Sequence, residues 1–261
     1  MKTEKIINFK DKNIFITGAD GYIGSSLANY FFNNGSKLIL TDKCKKPRKL
    51  KKLLNSKRVD YIECDLKSKS SIKNLQTSIL KKLSKLDVII HNASYTGDSN
   101  LSGWSTDFKN QITDHWDDAF QITLKANFDL NKKFISLLKK SKNPSIINIS
   151  SVYGLIAPDW KIYSGTKINN PAGYSISKSA LIYMTKWMAK AFGPKIRVNC
   201  VSPGGLKRKQ PQKFIKKYNE KVPLKRMASE EDVVNTVIFL ASDMSMYVTG
   251  QNIVVDGGIS L

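Results

Sequence analysis

Arginine is scarce in this chain. Only five of its 43 basic residues are arginine, and 21 acidic residues leave a formal charge of +22. Nucleic-acid and phosphate forks favour the planar guanidinium. A charge carried by lysines scattered over nearly every predicted helix therefore argues for compositional bias over a nucleic-acid partner, while steering of an anionic substrate stays open. Cysteine is sparse too: Cys44, Cys64 and Cys200 are odd in number and far apart. They offer no disulfide framework and no metal site, and they fit a reducing, cytoplasmic setting. No apolar stretch approaches membrane-spanning length. Residues 1–12 show no apolar run before their charges, unlike a secretory signal. Repeats, low-complexity tracts and linkers are missing as well, so the 261 residues are expected to form one domain, 1–261.

What is present is alternation. Asn13–Thr17, Lys37–Asp42, Arg58–Cys64, Leu86–Asn92, Ser145–Ser151, Ile196–Val201 and Asn252–Val255 read as strands, several almost continuously apolar as strands buried on both faces must be. Helical patterns lie between them at Ile23–Asn34, Pro47–Ser56, Ser70–Ser84, Thr113–Lys142, Tyr174–Phe192 and Ser229–Ala241. The alternation predicts an α/β fold, a Rossmann-like doubly wound parallel sheet of about seven strands with helices on both faces. Loops 94–112, 152–173 and 204–227 follow predicted strands, at the end where such sheets bind ligands.

The first strand runs into Thr17-Gly-Ala-Asp-Gly-Tyr-Ile-Gly24 and then a helix. Gly18, Gly21 and Gly24 permit a tight turn, close backbone approach to a pyrophosphate, and close helix–strand packing. The helix N-terminus then faces the phosphates with free N–H groups. Asp42 ends the second strand, eighteen residues after Gly24. A carboxylate there accepts hydrogen bonds from ribose hydroxyls and repels a 2′-phosphate, which favours NAD over NADP without excluding the latter, since Lys43 follows directly. The plainer alternative is that Asp42 is a strand-end turn residue.

Two tyrosine–lysine pairs share one spacing: Tyr163-Ser-Gly-Thr-Lys167 and Tyr174-Ser-Ile-Ser-Lys178. On a helix, residues four apart lie one turn apart on one face, and a nearby ammonium stabilises phenolate. That is how a phenol with a pKa of about 10 becomes a usable acid/base near neutrality. Gly165 weakens a helix at the upstream pair and Pro171 would interrupt it. Tyr174 opens a long helical run with Pro171 just before it, so the downstream pair is the expected site and residues 152–173 are read as an insertion over the pocket.

Together these pieces resemble the short-chain dehydrogenase/reductase family. The resemblance covers nearly the whole chain and rests on residues 17–24, Asp42, Asp65-Leu66, His91-Asn-Ala-Ser94, Ile146–Ser151, Tyr174–Lys178, Ile196–Gly204 and Val248–Gly258. The region from Asn170 to Gly258 looks like members of surface-glycan and flagellin-modification pathways. The resemblance implies that Tyr174 moves a proton to or from the substrate oxygen. Lys178 would lower its pKa and bind the nicotinamide ribose, and Ser151 would hydrogen-bond the reacting oxygen. It implies cofactor contacts from Gly18, Asp20, Gly21, Tyr22, Ile23 and Gly24, from Asp42, Asp65 and Leu66, from Asn92 and Ala93, and from Pro203, Gly204 and Leu206, beside Tyr174 and Lys178. It also implies a homo-oligomer, tetramer or dimer, through the long helices.

Four features depart from the family pattern. The middle glycine is Gly21, with Tyr22 where most members of this length carry the glycine. Thr123 stands in place of the asparagine that orders a relay water, with Asn127 one turn on. His91 and Ser94 replace Asn and Gly, and His91 reads as a strand-end packing residue. Lys207 and Arg208 occupy the neighbourhood of a carboxamide-binding threonine.

For substrate, Trp160 and Tyr163 offer aromatic faces that suit sugar rings, and Lys207 with the lysines that follow attracts phosphate or carboxylate. A small-molecule sugar derivative, nucleotide-linked or acidic, is the reading that follows, with loop 204–227 as the substrate-binding loop. The alternatives are a 3-oxoacyl thioester on a carrier protein and an NAD-binding sensor or scaffold with weak catalysis.

Overall fold

A computed structural model describes residues 7–95, 101–166 and 168–261. Seven parallel strands form one sheet in the order β3-β2-β1-β4-β5-β6-β7. They are β1 Asn13–Thr17, β2 Lys37–Asp42, β3 Val59–Glu63, β4 Val88–His91, β5 Ser145–Ile149, β6 Arg197–Pro203 and β7 Asn252–Val255. Around them run α1 Tyr22–Asn33, α2 Lys69–Lys82, α3 Asp114–Phe120, α4 Ala126–Leu138, α5 Trp160–Tyr163, α6 Ala172–Phe192, α7 Gln212–Lys221 and α8 Glu230–Ala241.

Strand alternation divides the core into two layers. Ile14, Ile16, Leu38, Leu40, Ile90 and Ile147 pack with α1 and α8 on one face. Phe15, Ile39, Ile89, Ile146 and Val198 pack with α2, α4 and α6 on the other. The chain order reverses between β1 and β4, and the strand ends there open a crevice carrying Gly18, Asp42, Asn92, Ser151 and Gly204.

Local chemistry explains the boundaries. Ser229 and Asp232 form a reciprocal capping box at α8, with Asp232 also gripped by Arg226. Gly35, at φ +85°, follows α1 in the left-handed conformation that glycine adopts freely.

Three expectations fail. The helix expected over Pro47–Ser56 is only a single tight turn, Leu53–Asn55. Leu50 and Leu53 are buried there, and the backbone amides of Arg48 and Lys49 donate to the Asp20 carboxylate. The single helix expected over Thr113–Lys142 begins at Asp114, ends at Leu138, and is broken by a wide turn at Gln121–Lys125, where the Asn127 side chain takes the Thr123 carbonyl at 2.8 Å. Loop 204–227 contains a helix, α7, whose Phe214, Ile215 and Tyr218 are buried in a third small apolar cluster.

Candidate active site

The glycine turn is built so tightly that side chains are excluded. A Cβ on Gly18 would sit 2.8 Å from the Ala93 Cα, and one on Gly24 would strike the Gly18 carbonyl oxygen. Asn92 braces the turn from below, its Nδ2 donating to the carbonyls of Thr17 (3.1 Å) and Gly18 (2.9 Å). The helix α1 starts at Tyr22 with neither a side-chain cap nor an acid in its first turn, so its leading N–H groups and dipole are open to an anion. At the end of β2 the Asp42 carboxylate accepts from the amides of Asp20 (3.0 Å) and Lys43 (2.8 Å). Each oxygen keeps a lone pair for a ribose hydroxyl. This backbone cradle and this carboxylate fit a dinucleotide.

The other expected cofactor positions are distributed around the same edge. Asp20 points its carboxylate away, onto the amides of Arg48 and Lys49. Tyr22 is about half exposed, and Ile23 and Ala93 are half-buried. Asp65 is exposed and caps the Lys67 amide at 2.9 Å, while Leu66 is buried. Pro203 closes β6. A Cβ on Gly204 would lie 2.8 Å from the Asp256 Cα, and Leu206 pairs with Ala228.

Ser151, Tyr174 and Lys178 meet at the end of β5. Ser151 caps the short turn Val152–Gly154, accepting from the Tyr153 amide at 3.2 Å. Tyr174 lies in the first turn of α6 and Lys178 one turn later, its Nζ 5.7 Å from the Tyr174 ring centre. Lys178 is buried and its Nζ donates to the Ile149 carbonyl at 2.7 Å. Burial drives its pKa down, to about 8. The expected depression of the Tyr174 pKa is not found. Burial of its hydroxyl raises the pKa, and the hydrogen bond from Ser151 opposes that only in part. With the Lys178 charge itself weakened by burial and directed to a backbone carbonyl, desolvation wins.

The upstream pair differs. α5 ends at Tyr163, and Gly165 adopts φ +71°, so no helix runs on from it; Lys167 lies outside the described residues. Tyr163 nonetheless enters the site by another route. Its hydroxyl donates to that of Tyr153 at 2.6 Å, and both phenols are close enough to feel the charge of an ionised Tyr174. Burial raises the pKa of Tyr163 to about 12 and that of Tyr153 further still. Tyr218 of α7, also raised by burial to about 12, accepts from the Gly205 amide at 2.6 Å. The four phenols thus lie within electrostatic reach of one another.

Segment 152–173 and α7 behave as one unit. Ile162 packs with Phe214, Ile215 and Tyr218. The Lys217 Nζ donates to the carbonyls of Lys161 (3.0 Å) and Ser164 (2.9 Å), and Lys221 pairs with Asp159 at 3.2 Å. These two lysines hold backbone and acid rather than free anions. Trp160 is 57% exposed and Lys207 is exposed, its amide tied to the Ala228 carbonyl.

Proteins of known kind match this chain over nearly all of its length. A family model described as enoyl-(acyl carrier protein) reductase matches residues 18–260. The chain is a short-chain dehydrogenase/reductase. It is 36% identical to the 3-oxoacyl-acyl-carrier-protein reductase FabG of Rickettsia typhi, over 97% of this chain and 99% of that protein. It is 30% identical to the post-translational flagellin modification protein A of Campylobacter coli, with the same coverage. Among solved structures, a short-chain dehydrogenase from Leptospira borgpetersenii with bound NAD+ superposes with a TM-score of 0.85 at 33% identity, over 97% of this chain and 94% of that one.

Several residues of this short-chain dehydrogenase/reductase escaped sequence reasoning. Ser150 donates to the Lys178 carbonyl at 2.8 Å and so fixes α6 against β5. A Cβ on Gly154 would lie 2.8 Å from the Lys178 carbonyl carbon. Tyr153 and Tyr218 carry no spacing signal, because only the folded loops bring them together. Asn127 is buried rather than a surface residue. His91 is buried and hydrogen-bonded to Asn131 Oδ1 at 2.9 Å, with burial lowering its pKa to about 4. It is neutral near pH 7 and belongs to the packing. Among the described residues no cluster of histidine, cysteine or acid could hold a metal, and no helix is long and apolar enough to cross a membrane.

Proposed function

We propose that this chain interconverts a secondary alcohol and a ketone with NAD, on a hydroxylated, sugar-like small molecule of surface-glycan biosynthesis. The meeting of Ser151, Tyr174 and Lys178 at the strand edge beside the glycine turn carries the reaction class. Asp42 supports NAD over NADP, because a carboxylate already holding two amides would repel a 2′-phosphate. When bound, the nicotinamide supplies or accepts the hydride. The chain's part is proton and charge management. Tyr174, protonated in this state, donates to the carbonyl oxygen in reduction and recovers the proton in oxidation. Ser151 donates to the same oxygen as negative charge develops on it. Lys178 stabilises the phenolate left behind.

The phenols of Tyr153 and Tyr163 support a substrate bearing several hydroxyls, since each hydroxyl is both donor and acceptor. A second reading, reduction of a 3-oxoacyl thioester, is favoured by a mostly apolar cavity of about 350 Å³. It is lined by Phe108, Tyr153, Leu155, Ile156, Trp160 and Ile176, among others. Turnover of a nucleotide-sugar panel and of acetoacetyl-coenzyme A, each with NAD(H) and NADP(H), separates the two. Activity on sugars with NAD is expected. Reduction of the thioester alone, with NADPH, would overturn the sugar reading. The apolar stripe Ile176, Tyr183 and Trp187 on α6, with Phe128 on α4, supports association into a dimer or tetramer.

A further inference from the structure

Two departures from the family pattern meet in one contact. Tyr22 stands where the family pattern has its middle glycine, and Arg208 lies with Lys207 in the neighbourhood of the family's carboxamide-binding threonine. The Arg208 guanidinium carbon lies 4.2 Å from the centre of the Tyr22 ring. The same ring carries the Lys49 ammonium at 4.3 Å. Cations over an aromatic face are attracted by its quadrupole, but two of them over one ring also repel each other.

Both cations are fixed in place. Lys49 is bound to the glycine turn itself, its amide on Asp20 Oδ1 at 2.8 Å and its Nζ on the Asp20 carbonyl at 2.9 Å. Arg208 is braced from behind, its Nη1 2.9 Å from Glu230 Oε1 and 2.7 Å from its neighbour's carbonyl, Lys207 O. The rest of its donor fork has no partner among the described residues. Tyr22 is the first residue of α1, whose leading N–H groups have no side-chain cap and no acid nearby. Two positive charges thus converge on a helix start that already favours an anion, and only one of them has a carboxylate beside it.

We propose that Lys49, Tyr22 and Arg208 form a cationic clasp, which ties the loop after β6 to the glycine turn and grips the cofactor's pyrophosphate from its open side. Arg208 and Lys49 supply the charge, and Tyr22 is the positioning residue that holds Arg208 across the crevice. The clasp rests on the dinucleotide reading above and goes beyond it, by giving cofactor retention to two residues outside the glycine pattern.

Titration calorimetry of NAD and of ADP on the full chain tests it, at low and at high salt. Arg208→Gln and Tyr22→Ala should each weaken both ligands about tenfold, as loss of a charged contact does, with no change in Tm. The loss should narrow at high salt, where the Debye length shrinks to about 3 Å in 1 M salt. Tyr22→Phe, which keeps the ring, should recover most of the affinity. NAD bound by Arg208→Gln as tightly as by the parent would overturn the clasp and leave the dinucleotide reading intact. Weakening by Tyr22→Ala but not by Arg208→Gln would do the same. A parent that binds neither NAD nor NADP would remove the dinucleotide reading and the clasp with it.

Discussion

At the scale of single residues, the chemistry turns on which tyrosine is the acid. Tyr174 and Tyr163 precede lysines by the same interval, yet only Tyr174 sits with its lysine on a helix. Tyr174→Phe is expected to lower kcat by about 10²–10⁴-fold, the usual worth of general acid/base catalysis. Tyr163→Phe, which loses the hydroxyl's hydrogen bonds to Tyr153 and Asn170, is expected to act mainly on KM. Steady-state kinetics of the two variants on one substrate checks this, and the reverse pattern would transfer the acid role upstream. Lys178 leaves a mark on stability. Its pKa is about 8 in the folded chain against 10.5 ordinarily. Below pH 8 the ammonium is charged in both states, so the full cost of burying it is present. Between about 8 and 10.5 the unfolded chain holds more protons, and stability therefore rises with pH. Lys178→Met should be inactive and more stable than the parent at pH 7, with that advantage fading across this window. Urea unfolding at a series of pH values measures it.

At the scale of elements, the contact between the Val152–Gly154 turn and α6 fixes the site. Gly154 lies against the backbone of Lys178, where a methyl group would need about half an ångström or more of movement. Gly154→Ala should push α6 outward and cost about 1–3 kcal/mol in stability. It should cut kcat more than tenfold while NAD affinity holds, because the glycine turn is elsewhere. A variant with parental kcat would show that the site tolerates the shift. Element legibility follows the same logic of local against distant causes. Strands β1, β2 and β7 were readable to the residue, since their apolar runs and turn residues are local signals. The missing helix at 47–56 was not, because distant contacts shape the segment, with Leu50 and Leu53 buried in the core and two amides held by Asp20, nearly thirty residues away. The helix α7 was hidden by a lysine-rich surface, although Phe214, Ile215 and Tyr218 recur at helical spacing. Tyr174 and Lys178 were legible as a pair from their spacing, and Ser151 came only from the family resemblance. The phenols of Tyr153 and Tyr218 were not, because no sequence interval links residues that only tertiary packing gathers.

At the scale of the whole molecule, 21 acids cannot neutralise 43 bases. At least half of the cations lack an acidic partner, and their mutual repulsion opposes the compact state. Raising ionic strength from about 10 mM to 150 mM shortens the Debye length from about 30 Å to about 8 Å. Tm should therefore rise with sodium chloride, as differential scanning calorimetry would show. An unchanged or falling Tm would mean that local pairs such as Arg226–Asp232 outweigh the general repulsion. The small apolar cluster joining segment 152–173 to α7 has a further consequence, for exchange of parts between relatives. Ile162 needs Phe214, Ile215 and Tyr218 as its floor, and Lys217 needs the Lys161 and Ser164 carbonyls as its acceptors. A chimera that receives one of the two segments from another enzyme inherits half a core, whereas one that receives both inherits a closed module. The two segments, about fifty residues apart in the chain, should therefore transfer between scaffolds only as a pair.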